Sequence, residues 1–203
     1  MSEENPDHFE MRRLESLSNT VFGVAMTLLA YGLPKVGVFK GMPGWYDLYQ
    51  LYAGQVVGLI LSFIIAGLFW ISHQRRLARQ PYGTRRVVIV NLFFLLSIIL
   101  LPVTNGLYSN YRLSSAVAVL YGLHLTLIAS LNALLWWFTR GHGEHGPELT
   151  RAIFPILVFV PATLMALVAP QYAQYVWFLA FGSFFVRRFA DRRRKSQTKV
   201  PTC

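Results

Sequence analysis

Apolar runs near 20 residues recur along this chain of 203 residues, and they restrict its fold more than any other feature. The spacing predicts six helical spans, at about 14–33, 48–72, 86–104, 113–138, 151–169 and 171–186. About 20 apolar residues are what an α-helix needs to cross the hydrocarbon core of a bilayer. The runs are continuously apolar and do not alternate in and out, which argues against a barrel of membrane strands. Only 14% of the residues are charged, against about 25% in a soluble domain. The chain therefore reads as all-α, an integral membrane protein with six transmembrane helices. The sixth span is short, at 16 residues, and would rise about 24 Å. Arg187 and Arg188 would then snorkel, or the bilayer would thin.

The net charge of +10 raises the question of nucleic acid, and its distribution answers it. With six spans, 16 Lys and Arg residues fall on the side that holds both termini, the 2–3 loop and the 4–5 loop. Only Lys35, Lys40 and Arg112 fall on the other side. This is the positive-inside pattern, and it places both termini in the cytoplasm of a multi-pass cell-membrane protein. The Arg192-Arg193-Arg194-Lys195 cluster is expected at anionic lipid headgroups of the cytoplasmic face, not on nucleic acid. Residues 1–188 read as one membrane domain, and 189–203 as a disordered basic cytoplasmic tail. The single cysteine, Cys203, forms no internal disulfide and is not placed for prenylation. The polar, acidic stretch Met1 to Glu10 does not resemble a cleavable signal, so the first span is expected to stay in the mature protein.

The first span is unlike the others. Its opening and interior carry Ser16, Ser18, Asn19, Thr20 and Thr27, and polar groups at such depth are costly unless they face protein or water. On a helical wheel Arg13, Leu17, Thr20, Val24, Thr27, Leu28 and Tyr31 share one stripe. Asn19, Gly23, Met26 and Ala30 share a second, with small residues suited to close helix packing. Repeated by symmetry, the first stripe would stack rings of hydroxyls and aliphatic side chains along an axis. Narrow apolar rings hold back hydrated ions, and hydroxyls replace part of an ion's water. A plainer reading also stands, in which Thr20 and Thr27 simply bond back to helix carbonyls. The chain shows no internal repeat, so a pore would need several copies around a symmetry axis.

Further polar residues cluster at the cytoplasmic ends of the next spans. The second closes with Phe69-Trp70-Ile71-Ser72-His73; the third opens at Asn91 and is expected to end near Pro102-Val103-Thr104. A buried network joining these groups to Arg13, Ser18 and Asn19 would satisfy otherwise expensive polar atoms. His124 and Asn132, inside the fourth span, are read as interhelical hydrogen-bonding residues. A membrane enzyme or ion-coupled transporter would carry carboxylates within its spans. Here only Glu15 and Asp47 approach one, and both lie at ends. His142, Glu144 and His145 do not form the H-E-x-x-H zinc motif and read as a solvated loop. No cofactor and no tightly bound metal is expected.

Arg13-x-x-x-Leu17-Ser18-Asn19 resembles the R-x-x-x-F-S-D motif of the endosomal and lysosomal potassium channel family, the transmembrane protein 175 family, and its prokaryotic relatives. The following Val-Phe-Gly-Val-Ala-Met-Thr-Leu-Leu, the Phe69-Trp70-x-x-His73 ending and the Asn91-Leu-Phe-Phe-Leu to Leu101-Pro102 stretch resemble the family's first three helices in order. The resemblance implies a six-helix subunit, a homotetramer, and a pore lined by the first helix with potassium as the permeant ion. It implies that Val24 stands at the aliphatic constriction, that Thr27 is a pore-facing hydroxyl, and that Thr20, Leu28 and Tyr31 share that face. Arg13, Ser18, His73 and Asn91, with Asn19 and Trp70 beside them, match a polar network that braces the pore helix. The chain departs from the pattern at Leu17, which replaces Phe, and at Asn19, which replaces Asp. Val24 is smaller than the usual Leu or Ile. A non-selective cation or proton leak channel is the nearest alternative reading, and a non-conducting structural membrane protein the alternative of another class.

Overall fold

The computed structural model describes residues 9–35, 37–39, 41–78, 80, 82–140 and 147–178. Six helices follow one another in the order the apolar runs predict. They are α1 (Met11–Leu29), α2 (Trp45–Leu77), α3 (Arg85–Asn110), α4 (Ser115–Thr139), α5 (Pro147–Val168) and α6, described over 170–178. A 3-10 turn, Ala30–Gly32, continues α1. The rest of the sixth span, the loop with His142, Glu144 and His145, and the basic tail lie outside the described residues.

By length and composition, α2, α3 and α4 can each cross a membrane. A third to under a half of each apolar window is buried inside the subunit. The remainder, including Phe63, Phe93, Leu96, Leu123 and Leu127, is exposed apolar surface of the kind that lipid or a neighbouring subunit covers. α2 has 33 residues and rises about 50 Å, so its last turns, with Arg75 and Arg76, extend beyond a bilayer core. Asp47 accepts the Gly44 backbone N–H at 2.9 Å and caps its start.

Two boundaries differ from the sequence reading. α2 runs five residues past Ser72, to Leu77. α3 runs straight through Pro102 to Asn110 instead of ending near Thr104. Proline lacks the N–H that would bond the carbonyl four residues back. Membrane helices tolerate this where nearby side chains re-satisfy the backbone. Here His124 Nε2 on α4 donates to the Ser97 carbonyl at 3.0 Å, next to the Ile98 carbonyl that Pro102 leaves without its helix partner.

α1 packs against both α2 and α3, α3 against α4, and α4 against α5. The core along these seams includes Phe22, Leu61, Phe94, Ile98, Leu125 and Phe159. Gly122 lets α4 approach α5, where an added Cβ would run into Thr163. A two-residue antiparallel bridge, Phe9 with Gly83 and Glu10 with Tyr82, ties the lead-in of α1 to the connection between α2 and α3. Gly83 fits there because Met11, itself buried, fills the space a side chain would need.

Candidate functional site: the first helix and its polar brace

α1 divides into two faces. Met11, Leu14, Ser18, Phe22, Ala25 and Leu29 are buried, at the three- and four-residue spacing of one helix stripe. Leu17, Thr20, Val24, Thr27, Leu28 and Tyr31 are exposed on the opposite side. Val24 is 53% exposed, and Tyr31, in the 3-10 turn, 69%. Gly23 and Ala30 are also exposed, and nothing lies within 4 Å of a Cβ added at Gly23. Thr27 Oγ1 donates to the Val24 carbonyl at 2.7 Å, and Thr20 Oγ1 to the Ser16 carbonyl at 3.1 Å. Back-bonding and an outward role are compatible. A hydroxyl that donates its one proton into the helix keeps its oxygen lone pairs for an outside cation. At the far end of this face, Lys35 Nζ donates to Tyr31 Oη at 2.9 Å and sits 4.2 Å from the ring centre.

The buried face of α1 is held by polar atoms from two helices. Ser18 Oγ donates to the Leu14 carbonyl at 2.7 Å. Its proton is thereby used, so the same oxygen accepts from His73 Nε2 at 3.1 Å and Asn91 Nδ2 at 3.4 Å. His73 Nε2 therefore carries its proton. Ser18, His73 and Asn91 are all fully buried. The His73 ring stacks on Phe94 at 4.9 Å and leans towards Phe22 at 6.1 Å. One residue along, Asn19 Oδ1 accepts from Trp70 Nε1 at 2.8 Å and from Gln74 Nε2. α2 thus grips two consecutive residues of α1 with three side chains, two of which, Trp70 and Gln74, are one helical turn apart.

Arg13 stands apart from this cluster. Its Nε bonds Glu10 Oε2 at 2.9 Å, and both side chains are mostly exposed. The structure thus brings together Ser18, Asn19, Trp70, His73 and Asn91, and leaves Arg13 at the surface of the single subunit. Gln74 is not among the residues the sequence predicts for this brace. Its position four residues after Trp70 is the signal that could have found it.

Two further polar clusters cross between helices. Arg76 Nη1 bonds the Asn132 side-chain oxygen at 3.0 Å and the Asn132 carbonyl at 2.5 Å. Deeper in the bundle, Ser62 Oγ donates to Asn105 Oδ1 at 2.6 Å and accepts from Tyr121 Oη at 2.6 Å. Tyr121 stacks on Tyr108 at 4.9 Å, and Trp177 of α6 packs edge-on against both rings at 5.0 Å. His124 completes the α3–α4 seam, its Nδ1 accepting from Thr104 Oγ1 at 2.8 Å. His124 and Asn132 are therefore both interhelical bonding residues. Among the described residues no group of three or more His, Cys, Asp or Glu side chains could hold a metal ion.

The comparisons with known proteins converge on one family. Residues 13–102, from α1 through most of α3, match the family model of the endosomal/lysosomal potassium channel TMEM175. No curated protein sequence matches the chain. The fold resembles a crystal structure of a lysosomal potassium-selective channel TMEM175 homologue from Chamaesiphon minutus, with a TM-score of 0.78 and 19% identity. That match covers 87% of this chain and 97% of the other. It also resembles a variant of the potassium channel MtTMEM175 solved with a nanobody fusion protein, with a TM-score of 0.58 and 14% identity. That match covers 90% of this chain and 98% of the other. The family and both structural neighbours are ion channels, not enzymes. The first three helices of this multi-pass membrane protein are thus similar to the TMEM175 potassium channel family, and the chain shares its fold with solved TMEM175 channels along most of its length.

Proposed function

We propose that this chain forms a homotetrameric, potassium-permeable cation channel of the cell membrane, with α1 of each subunit lining the pore. The reading rests chiefly on the division of α1 into a buried stripe and an exposed one. The exposed stripe alternates hydroxyl and aliphatic groups, at Thr20, Val24, Thr27 and Leu28, and ends at Tyr31. An α-helix that packs on its own subunit by one face, and presents this pattern on the other, is suited to surround an axis in four copies. Four Val24 side chains would form an apolar constriction that a hydrated ion cannot pass without losing water. Thr27 and Thr20 would offer lone pairs in exchange, because their protons are committed to the helix. The Ser18–His73–Asn91 cluster and the Asn19 bonds to Trp70 and Gln74 would act as a brace. They fix the rotation of α1 about its own axis, and so which side chains face the pore.

The asymmetry of Lys and Arg supports six spans with both termini in the cytoplasm, and contacts of the basic end with anionic headgroups. Potassium is a transient occupant and no cofactor is required. The test is ion flux into proteoliposomes containing only this chain, with potassium, sodium and protons compared. Potassium flux above sodium flux is the expected result. Equal flux of the two, or of protons alone, favours a non-selective leak. No flux at all favours a structural role.

A further inference from the structure

The arginine-rich end of the bundle is built around the two-residue bridge of Phe9 with Gly83 and Glu10 with Tyr82. The bridge sets the start of α1 beside the start of α3, two helices that pack against each other. Arg12 and Arg13 open α1, Arg85 and Arg86 open α3, and all four are exposed. Arg13 is paired with Glu10. Among the described residues no carboxylate pairs with Arg12, Arg85 or Arg86. Neither helix has an acidic residue in its first turn; Glu15 lies one turn further along α1. Phe9 and Tyr82, on opposite strands of the bridge, are exposed as well. One turn further into the membrane from Arg85 and Arg86, an exposed apolar stripe begins on α3, with Ile89, Leu92, Phe93 and Leu96.

Arginines at headgroup level, exposed rings beside them and an apolar stripe leading into the hydrocarbon match the parts of an anionic phospholipid. A neighbouring copy of the chain fits less well. Symmetry about an axis along the membrane normal keeps the same ends together, so a second copy brings further arginines to this level. Closing the bridge gathers like charges, and two paired residues do little to offset that repulsion. A ligand that binds the closed arrangement better shifts the equilibrium towards it. We propose that an anionic phospholipid of the cytoplasmic leaflet binds across this seam, its headgroup among Arg12, Arg85 and Arg86 and a chain along the α3 stripe. Bound there, it holds the bridge closed. The bridge in turn keeps Met11 buried against Gly83, and so fixes the start of α1. The effect on conduction rests on α1 being the pore helix; the binding does not.

The test uses the full chain in its native oligomer, stripped of lipid by extended washing in a neutral detergent. Thermal melting is followed as phosphatidylglycerol is added, with phosphatidylcholine and sodium phosphate as comparison arms. Phosphatidylglycerol should raise the melting midpoint saturably, and the other two should not. Arg85→Gln combined with Arg86→Gln should raise the phosphatidylglycerol concentration needed about tenfold or more. Gly83→Val keeps every charge but drives a side chain into Met11, and should also weaken the response. Arg112→Gln, beyond the far end of α3, should leave it unchanged. In proteoliposomes, potassium flux should rise with the fraction of phosphatidylglycerol in the parent chain and lose that dependence in Gly83→Val. A general surface-potential effect would persist in that variant. A rise no greater than with phosphatidylcholine overturns the proposal, and an equal rise with phosphate overturns it in favour of a soluble anion. An undiminished response in the arginine double variant overturns the site, and one in Gly83→Val overturns its coupling to the bridge. Lipid-dependent melting without any flux contradicts α1 as a pore helix and leaves the lipid site standing.

Discussion

His73 Nε2 lies 3.1 Å from Ser18 Oγ, and neither residue has any solvent-accessible surface. Because the serine proton is already given to Leu14, the histidine must be the donor. Ser18→Ala therefore strands two buried donors, His73 Nε2 and Asn91 Nδ2. Each stranded buried polar group costs about 1–3 kcal/mol. His73→Ala also removes the ring stacked on Phe94. Both substitutions should lower the melting midpoint of the purified protein, and the double variant should lose less than the sum. Arg13→Ala breaks only an exposed pair, worth under about 1 kcal/mol, and should leave melting of the subunit nearly unchanged.

The Ser62–Asn105–Tyr121 cluster makes a second, graded prediction. Tyr121→Phe removes one donor and leaves Ser62 bonded to Asn105, a loss of about 0.5–1.5 kcal/mol. Ser62→Ala strands both partners and should cost more, about 1–3 kcal/mol. Reversed order in thermal or denaturant melts would contradict the assignment of Ser62 as the shared centre.

How much of this could be read in the sequence depends on the kind of signal. Apolar periodicity is repeated every turn, so the helices are legible; the stripe of α1 buried in the subunit, Met11, Leu14, Ser18, Phe22, Ala25 and Leu29, is not the small-residue stripe of Asn19, Gly23, Met26 and Ala30 that the sequence suggests for packing. His73, Asn91 and Ser18 were legible because polar residues at the ends of apolar runs need partners. Pro102 misled, since a local helix breaker was outweighed by His124, a residue of another helix that bonds the backbone nearby. The sequence therefore predicts too early an end for α3, and Asn105 falls outside the expected span. Without Asn105 the Ser62–Tyr121 pair has no visible partner on α3. Arg13 joins the brace in the sequence by its level along the helix and its place in the motif; in the subunit its reach is taken by Glu10, three residues away.

Lys35 gives a prediction about conduction. Its ammonium rests on the Tyr31 ring and hydroxyl, at one end of the exposed α1 face. Four such charges around one mouth of a pore would repel cations at low salt. Lys35→Gln should raise cation flux roughly two- to ten-fold at low ionic strength, with a smaller effect at high salt. Salt-independent flux in both proteins would place Lys35 away from the ion path.

Assembly is a separate prediction. One subunit presents a single pore-type stripe, so it cannot enclose a path by itself. Mass measurement in mild detergent should give four copies. Dimers or monomers alone would count against α1 as a pore helix, even if the fold is intact.

The most direct measurement compares potassium and sodium flux through proteoliposomes carrying Val24→Ala, Val24→Asn and Thr27→Val with flux through the parent chain. Val24→Ala should widen the constriction, raising flux and lowering the potassium-to-sodium ratio. Val24→Asn should wet it and admit better-hydrated cations. Thr27→Val keeps the shape and deletes the lone pairs, so it should shift the ratio more than the rate. If all three variants conduct with the parent's rate and ion preference, the exposed face of α1 is not the pore, and its threonines serve the helix backbone alone.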